Sequence, residues 1–477
     1  IETGKLFIAG KHPDPTNVLI AVFASIAAYG LLNGFFKLAP ATPSSSIVSR
    51  VRVSDAPIKD DRSDTPARPP ATGGRVIAAA ALVAALAAAL TYPLGVLLFI
   101  ALLVVYAALL WRRPGAWLVW ILALLPVLDF APWSGRMFWS EFDTVLLTTL
   151  GVCYWRLSPG ALNTFHLPGR WLFAAFAISA ALGIAIGLWP PVPLDHNAFT
   201  NYMSPYNALR AAKGLFFALA FLPLLAREWQ EPTRAARRLA LGMTLGLTAE
   251  VVYVLWERAT FSGLFNFATD YRITGTFPYM HIGGAYIECY LSMALPFVLL
   301  WAWQRRHVAA IALAAVLYGL GAYSVMVTFS RGGEAAFALA TLLAALGFAR
   351  LMLRDRARRF LGVGALLLFT GVALAVAWPI FSGKFSQARL ATVRQDIVTR
   401  LDHWRDALHI LRRDGDMMFG AGLGSFPAAY FWGSSAPTRP ATYAFASENG
   451  NAFLRLGSGE SLYFEQLVDI VPGREYK

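Results

Sequence analysis

Long apolar runs broken by short polar ones dominate this chain. A helix needs roughly 20 mostly apolar residues to cross a bilayer. Twelve segments approach that pattern: 17–38, 76–91, 93–111, 116–131, 142–156, 171–189, 208–226, 239–257, 282–302, 308–328, 334–353 and 360–379. Several are rich in Ala and Leu all round rather than along one stripe, as expected of helices surrounded by lipid or by other helices. Only Tyr92-Pro93 separates the second segment from the third, so that pair also reads as one interrupted helix. Residues 39–75, rich in Pro, Ser, Asp and Arg, read as a disordered linker. Residues 380–477 form a long polar tail, in which the alternation Ser461 to Val468 predicts a β-strand. The opening at Ile1 and the stop at Lys477, just after that strand, suggest a longer parent protein whose outer β-domain only begins here.

Composition agrees with the pattern. The chain of 477 residues is 57% hydrophobic and 14% charged, with a mean hydropathy of +0.53. Soluble domains carry about 25% charged residues, so an ordinary soluble fold is excluded. Two cysteines, Cys153 and Cys289, both in apolar runs, exclude a disulfide framework and a cysteine-based zinc site. The net charge of +13 would suit a nucleic-acid partner, but its distribution does not. If Arg112 and Arg113 lie in the cytoplasm and the spans alternate, inner loops collect 21 Lys and Arg. Short outer loops hold four: Arg136, Arg258, Arg272 and Arg331. That asymmetry sets membrane orientation. It predicts an all-α polytopic membrane protein with its 380–477 tail outside, probing no nucleic acid.

Basic residues at the depleted outer face call for a separate account. Arg210 opens the span 208–226, with Lys213 one turn deeper; Arg272 lies in the 258–281 loop, and Arg331 at the tip of a short hairpin. Arg suits two-pronged phosphate recognition, and converging guanidiniums would hold a pyrophosphate at the membrane surface. For any one of them alone, snorkelling to the interface or pairing with an acid explains as much; Glu334 is an obvious partner for Arg331. Glu250 and Glu288 are carboxylates inside spans, with Asp129 and Asp143 near outer ends. Such groups face a cavity or a partner, and a bond to Tyr or Trp of a neighbouring helix competes with catalysis. His196, His281 and His403 are outer general-base candidates. No metal-ligand motif is evident, so no metal or cofactor is expected. The run Gly420-Ala421-Gly422-Leu423-Gly424 follows no strand–helix pattern of a nucleotide site.

Several runs, in order, resemble the O-antigen ligase/polymerase superfamily of bacterial membrane glycosyltransferases. They are Ser204 to Arg210, Tyr271 to Phe277, Ser330-Arg331-Gly332, Arg400-Leu401 with Trp404 and Ala407-Leu408, and Phe419 to Phe426. The resemblance covers about residues 76–430. It implies a GT-C-like bundle of about 12 transmembrane helices in the bacterial inner membrane. It also implies transfer of a glycan from an undecaprenyl-pyrophosphate carrier to an acceptor glycan or lipid at the periplasmic face. On that reading Arg210, Arg272 and Arg331, with Lys213, hold the pyrophosphate without metal, among membrane lipids and partner proteins of polysaccharide assembly. The family's acceptor-side histidine has no counterpart in 431–455, where this chain has Ser447-Glu448-Asn449-Gly450-Asn451. His196 and Glu448 are the substitutes within the chain, and a histidine beyond Lys477 is the third option. Residues 1–38 resemble the end of a VanZ-like membrane segment, departing from it at Lys5, Lys11 and Asn17. The implied organisation is therefore 1–38 VanZ-like, 39–75 linker, 76–379 ligase-like membrane domain, and 380–477 periplasmic region. Two other classes stay open: a glycan export component, which would place substrate groups at the bilayer midplane and show internal repeats, and an inactive polysaccharide-binding scaffold.

Overall fold

A computed structural model describes residues 72–130, 134–136, 138–157, 170–194, 198–199, 202–269, 271–277, 285–305, 307–354, 359–391, 420–433 and 443–456 except 449, with scattered positions between 398 and 408. Segment 17–38, linker residues 39–71 and the strand at 461–468 lie outside the described residues, whereas 72–75, expected to be linker, are helical and open the first described helix. The rest is mostly helical. In chain order the elements are α1 (Thr72–Leu90), α2 (Val96–Arg112), α3 (Trp117–Leu124), α4 (Glu141–Trp155), α5 (Arg170–Gly187), α6 (Asn207–Glu228) and α7 (Pro232–Phe261). They continue with α8 (Ala285–Arg305), α9 (Val308–Met326), α10 (Arg331–Arg354), α11 (Arg359–Phe381), α12 (Lys384–Ala391), α13 (Phe426–Gly433), β1 (Tyr443–Glu448) and β2 (Asn451–Leu456). Among the described residues, five helices are long and apolar enough to cross a membrane: α1, α6, α7, α8 and α9. Their outward sides carry bare apolar side chains, Val83 of α1 being 68% exposed. Water would not tolerate that surface; hydrocarbon does. This is a helical membrane protein.

Two expected segments differ in detail. Thr91 to Gly95 do separate α1 from α2, with Gly95 at φ 125°, so the pair is two helices. Segment 116–131 holds only the eight residues of α3, preceded by a 3₁₀ turn at Pro114–Ala116. Pro126 cannot donate to the helical ladder, and the chain leaves it through turns closed by Leu125 N–H to Ile121 O and Val127 N–H to Leu124 O.

Small residues let the helices meet closely, the usual device where lipid offers no hydrophobic contrast. Ala78, Ala81, Ala85 and Ala89 form the buried stripe of α1, and Leu82 packs on Gly151 of α4. Gly242 and Gly246, four apart on α7, lie on the backbone of α3 at Val119 and at Leu122 and Ala123. A second core joins α7, α8 and α9 through Leu247, Val251, Val254, Ile287, Leu291, Leu295, Tyr318 and Ala322.

Contacts at helix ends sort the bundle into two ends. Arg238 near the start of α7 pairs with Glu228 at the end of α6, and Arg156 after α4 bonds to Trp111 O at the end of α2. Helix α7, with 30 residues, spans about 45 Å to the opposite end. Because α6 ends where α7 begins, the start of α6 lies at the far end with the end of α7. The starts of α4, α8 and α10 join them there, as the contacts below show.

Candidate functional site

The far end of the bundle carries two anchored groups of cations. The first is built at the start of α6. Ser204 opens the turn, its Oγ accepting Tyr206 N–H at 3.2 Å and its carbonyl accepting Asn207 N–H at 3.0 Å. Asn207 is buried. Its Nδ2 donates to Gly424 O at 2.7 Å, and its Oδ1 accepts Arg210 Nε at 2.6 Å. The Arg210 guanidinium lies 4.5 Å from the centre of the Tyr202 ring, in reach of a cation–π attraction.

The glycine-rich run at 420–424 explains this arrangement. Gly420, Gly422 and Gly424 have φ of 77°, 98° and 73°. A Cβ on Gly422 would collide with the Gly187 backbone, and one on Gly424 with Asn207. Leu423 N–H donates to Gly183 O at 2.7 Å. The run is a backbone splice laid across the ends of α5 and α6, and it fixes Asn207 and through it Arg210. Lys213, one turn on, donates to Asp143 Oδ2 at 2.6 Å and to Phe138 O at 2.9 Å. Asp143 also accepts Ser140 N–H at 2.8 Å in the capping box of α4. Lys213 thereby ties the starts of α4 and α6 together.

The second group grows from the end of α7. Glu250 and Glu257, seven residues apart, occupy one face of the helix. Glu257 accepts Tyr271 Oη at 2.9 Å, Thr274 N–H at 3.0 Å and Gly275 N–H at 2.8 Å. Glu250 accepts the hydroxyl and the backbone N–H of Thr276. Gly275 has φ 60°, and a Cβ there would overlap the Glu250 carboxylate. Arg258, fully buried, donates to Asn266 O at 2.6 Å and Tyr271 O at 3.4 Å. Burial and donation to Glu257 hold the Tyr271 phenol above its ordinary pKa, so it remains a donor near neutral pH.

Clamped in this way, segment 271–276 presents Arg272. Its Nε donates to Thr328 O at 2.8 Å after α9, and its Nη2 stands 3.9 Å from Glu288 Oε1 in the first turn of α8. The start of α10 rests on the same carboxylate, since a Cβ on Gly333 would meet Glu288 Cγ at 2.9 Å. Ser292 Oγ donates to Gly333 O at 3.4 Å, and Ser330 Oγ accepts Gly333 N–H at 3.3 Å. Arg331 is the first residue of α10. The starts of α6, α8 and α10 all point positive dipole ends at this end of the bundle, each with an arginine in or beside its first turn. An anion is the ligand such an arrangement favours.

Arg272 thus faces Glu288, against which Gly333, two residues after Arg331, also packs, and Arg210 with Lys213 gathers around Asn207 and Asp143, on different helix pairs of the same end. Glu448 sits apart. It closes a β-hairpin opposite Asn451, at an exposed position beside Gly450 at φ 79°. His196, His281 and His403 lie outside the described residues. Among the described residues no group of three or more His, Cys, Asp or Glu is placed to hold a metal ion. Sequence reasoning missed Glu257, although its seven-residue spacing from Glu250 is a legible signal. Arg258, counted above among the outer-loop arginines, lies inside α7, where it is the buried tether of Asn266 and Tyr271. No protein-family model matches the chain, and comparisons with curated proteins and with solved structures return no match.

Proposed function

We propose that this protein is a membrane glycosyltransferase that moves a glycan from an undecaprenyl-pyrophosphate carrier to a hydroxyl of an acceptor glycan or lipid. The observation that carries the reading is that Arg210 and Arg331 stand at helix starts, and Arg272 beside Glu288 in the first turn of α8, on one end of the bundle opposite the arginine-rich end. The acceptor oxygen attacks the anomeric carbon, the bond from that carbon to the pyrophosphate oxygen breaks, and the departing pyrophosphate takes the electron pair. Guanidiniums and helix dipoles stabilise the growing negative charge. Lys213 adds a positive charge one turn deeper, balanced at rest by Asp143. The acceptor proton passes to a base; His196 and Glu448 are the chain's candidates, with Glu448 able to serve only if the 443–456 hairpin closes over the site. On this reading the bundle is GT-C-like with about 12 spans in a bacterial inner membrane, and the end bearing Arg210, Arg272 and Arg331 faces the periplasm, which the charge asymmetry supports.

Two measurements test this. Purified full chain, given an undecaprenyl-pyrophosphate-linked glycan and an acceptor, releases undecaprenyl pyrophosphate and forms product in EDTA as well as without it. Turnover abolished by EDTA and restored by magnesium would replace the arginine site with a metal-dependent one, and no turnover with any lipid-linked glycan would remove the proposal. Orientation is read separately. A single cysteine at Ser330 in an otherwise cysteine-free variant reacts with an impermeant thiol reagent in cells with a permeabilised outer membrane. One at Gln304 reacts only after lysis. The reverse pattern refutes the orientation.

A further inference from the structure

The opposite end of the bundle holds a cavity of about 810 Å³ between the ends of α2, α4 and α6 and the start of α7. Six arginines line it, Arg112, Arg113, Arg156, Arg227, Arg234 and Arg238, against two acids, Glu228 and Glu231. Both acids are already engaged. Glu228 holds Arg238 and Glu231 holds Arg234 at 3.1 Å, while the Arg156 guanidinium bonds to Trp111 O. Arg112, Arg113 and Arg227 make no side-chain hydrogen bond or ion pair with any described residue. The cavity therefore keeps a surplus of four positive charges around a concave space. Scattered snorkelling arginines would spread over the rim and be solvated one by one; these converge.

Two further features describe what fits. The cavity's inner wall is apolar and buried, formed by Trp117, Cys153 and Leu224. The Arg238 guanidinium lies directly against Gly115, where a Cβ would overlap it, so the backbone itself makes room for a charged head at that depth. The cavity also stands at the height of the membrane interface. Trp111 and Trp155 beside it are 51% and 42% exposed, and Arg156 and Arg75 lie 5.5 Å and 6.0 Å from their ring centres. Exposed tryptophans at helix ends mark the headgroup level. A basic, interface-level recess with an apolar wall suits an anionic headgroup whose acyl chains remain in the bilayer.

We propose that this cavity binds the phosphate headgroup of an anionic phospholipid from the leaflet at that end. Arg112, Arg113 and Arg227 contact the phosphate, and Arg238, fixed by Glu228 and Gly115, closes its inner side. The proposal is independent of the transfer reaction. It is tested by native mass spectrometry of the detergent-purified full chain, titrated with phosphatidylglycerol, phosphatidylethanolamine and inorganic pyrophosphate in parallel. Phosphatidylglycerol is expected to bind in preference to phosphatidylethanolamine. The double variant Arg113→Gln/Arg227→Gln should bind it about tenfold more weakly or worse, since each interfacial arginine contributes about 1 kcal/mol toward an anionic lipid. Arg237→Gln/Arg305→Gln removes the same charge at the same end without lining the cavity, and should bind as the parent does. Equal loss in both double variants would reduce the effect to general surface charge and overturn the site. So would unchanged affinity in the first, equal binding of phosphatidylethanolamine, or retention of pyrophosphate without phosphatidylglycerol, which would mark a soluble anion's site.

Discussion

Arg272→Ala and Arg331→Ala each lower glycan transfer by about 10²–10³-fold, the usual cost of removing one preorganised donor from a developing negative charge. Arg210→Ala falls in the same direction. The reason is differential: the pyrophosphate of the intact donor is weaker as an anion than the same group leaving, so contacts to it strengthen along the reaction. The loss should appear in kcat at saturating donor rather than in KM alone. Arg272→Lys and Arg331→Lys recover only part of the rate, because an ammonium keeps the charge and loses the two-pronged geometry. Arg136→Ala is the control. That arginine donates to Thr91 Oγ1 at 2.5 Å and lies over the Tyr92 ring, bonded to none of Arg210's, Arg272's or Arg331's partners named above, and its loss should leave transfer within about twofold. Measured rates must be set against folded protein, judged by monodispersity in detergent. If Arg136→Ala loses as much as the others, or if the arginine variants lose rate only in proportion to lost fold, these side chains are interface anchors.

Arg258→Ala behaves differently: it destabilises the protein by about 1–3 kcal/mol for each buried carbonyl that loses its donor. Arg258 is fully buried, and its truncation leaves the Asn266 and Tyr271 carbonyls without their donor. The segment those carbonyls hold is the one that presents Arg272, so transfer falls with stability. Thermal unfolding in detergent separates the two cases. Arg258→Ala should melt well below the parent, whereas Arg272→Lys should melt near it and still transfer slowly. An Arg258→Ala protein that melts within about 2 °C of the parent would show that the tether is dispensable.

The sequence by itself determined the helices and their environment. Runs such as 208–226 and 308–328 are apolar over the length of a bilayer, and length and apolarity are local properties that survive any packing. Arginine crowding at alternate loops likewise marked the two ends, because charge sorts by membrane side before helices pack. What each polar side chain does was decided only by the tertiary structure. Lys213 could equally have faced a ligand or Asp143, 70 positions away; Arg258, placed by its sequence in an outer loop, is a buried tether within α7. The glycine run 420–424 resembled no known phosphate loop, and its work lies in three close backbone approaches to α5 and α6 that no spacing rule announces. A side chain's partner is chosen by distances across the fold, where one contact made at 2.6 Å outweighs any local propensity, and those distances do not exist until the helices have packed.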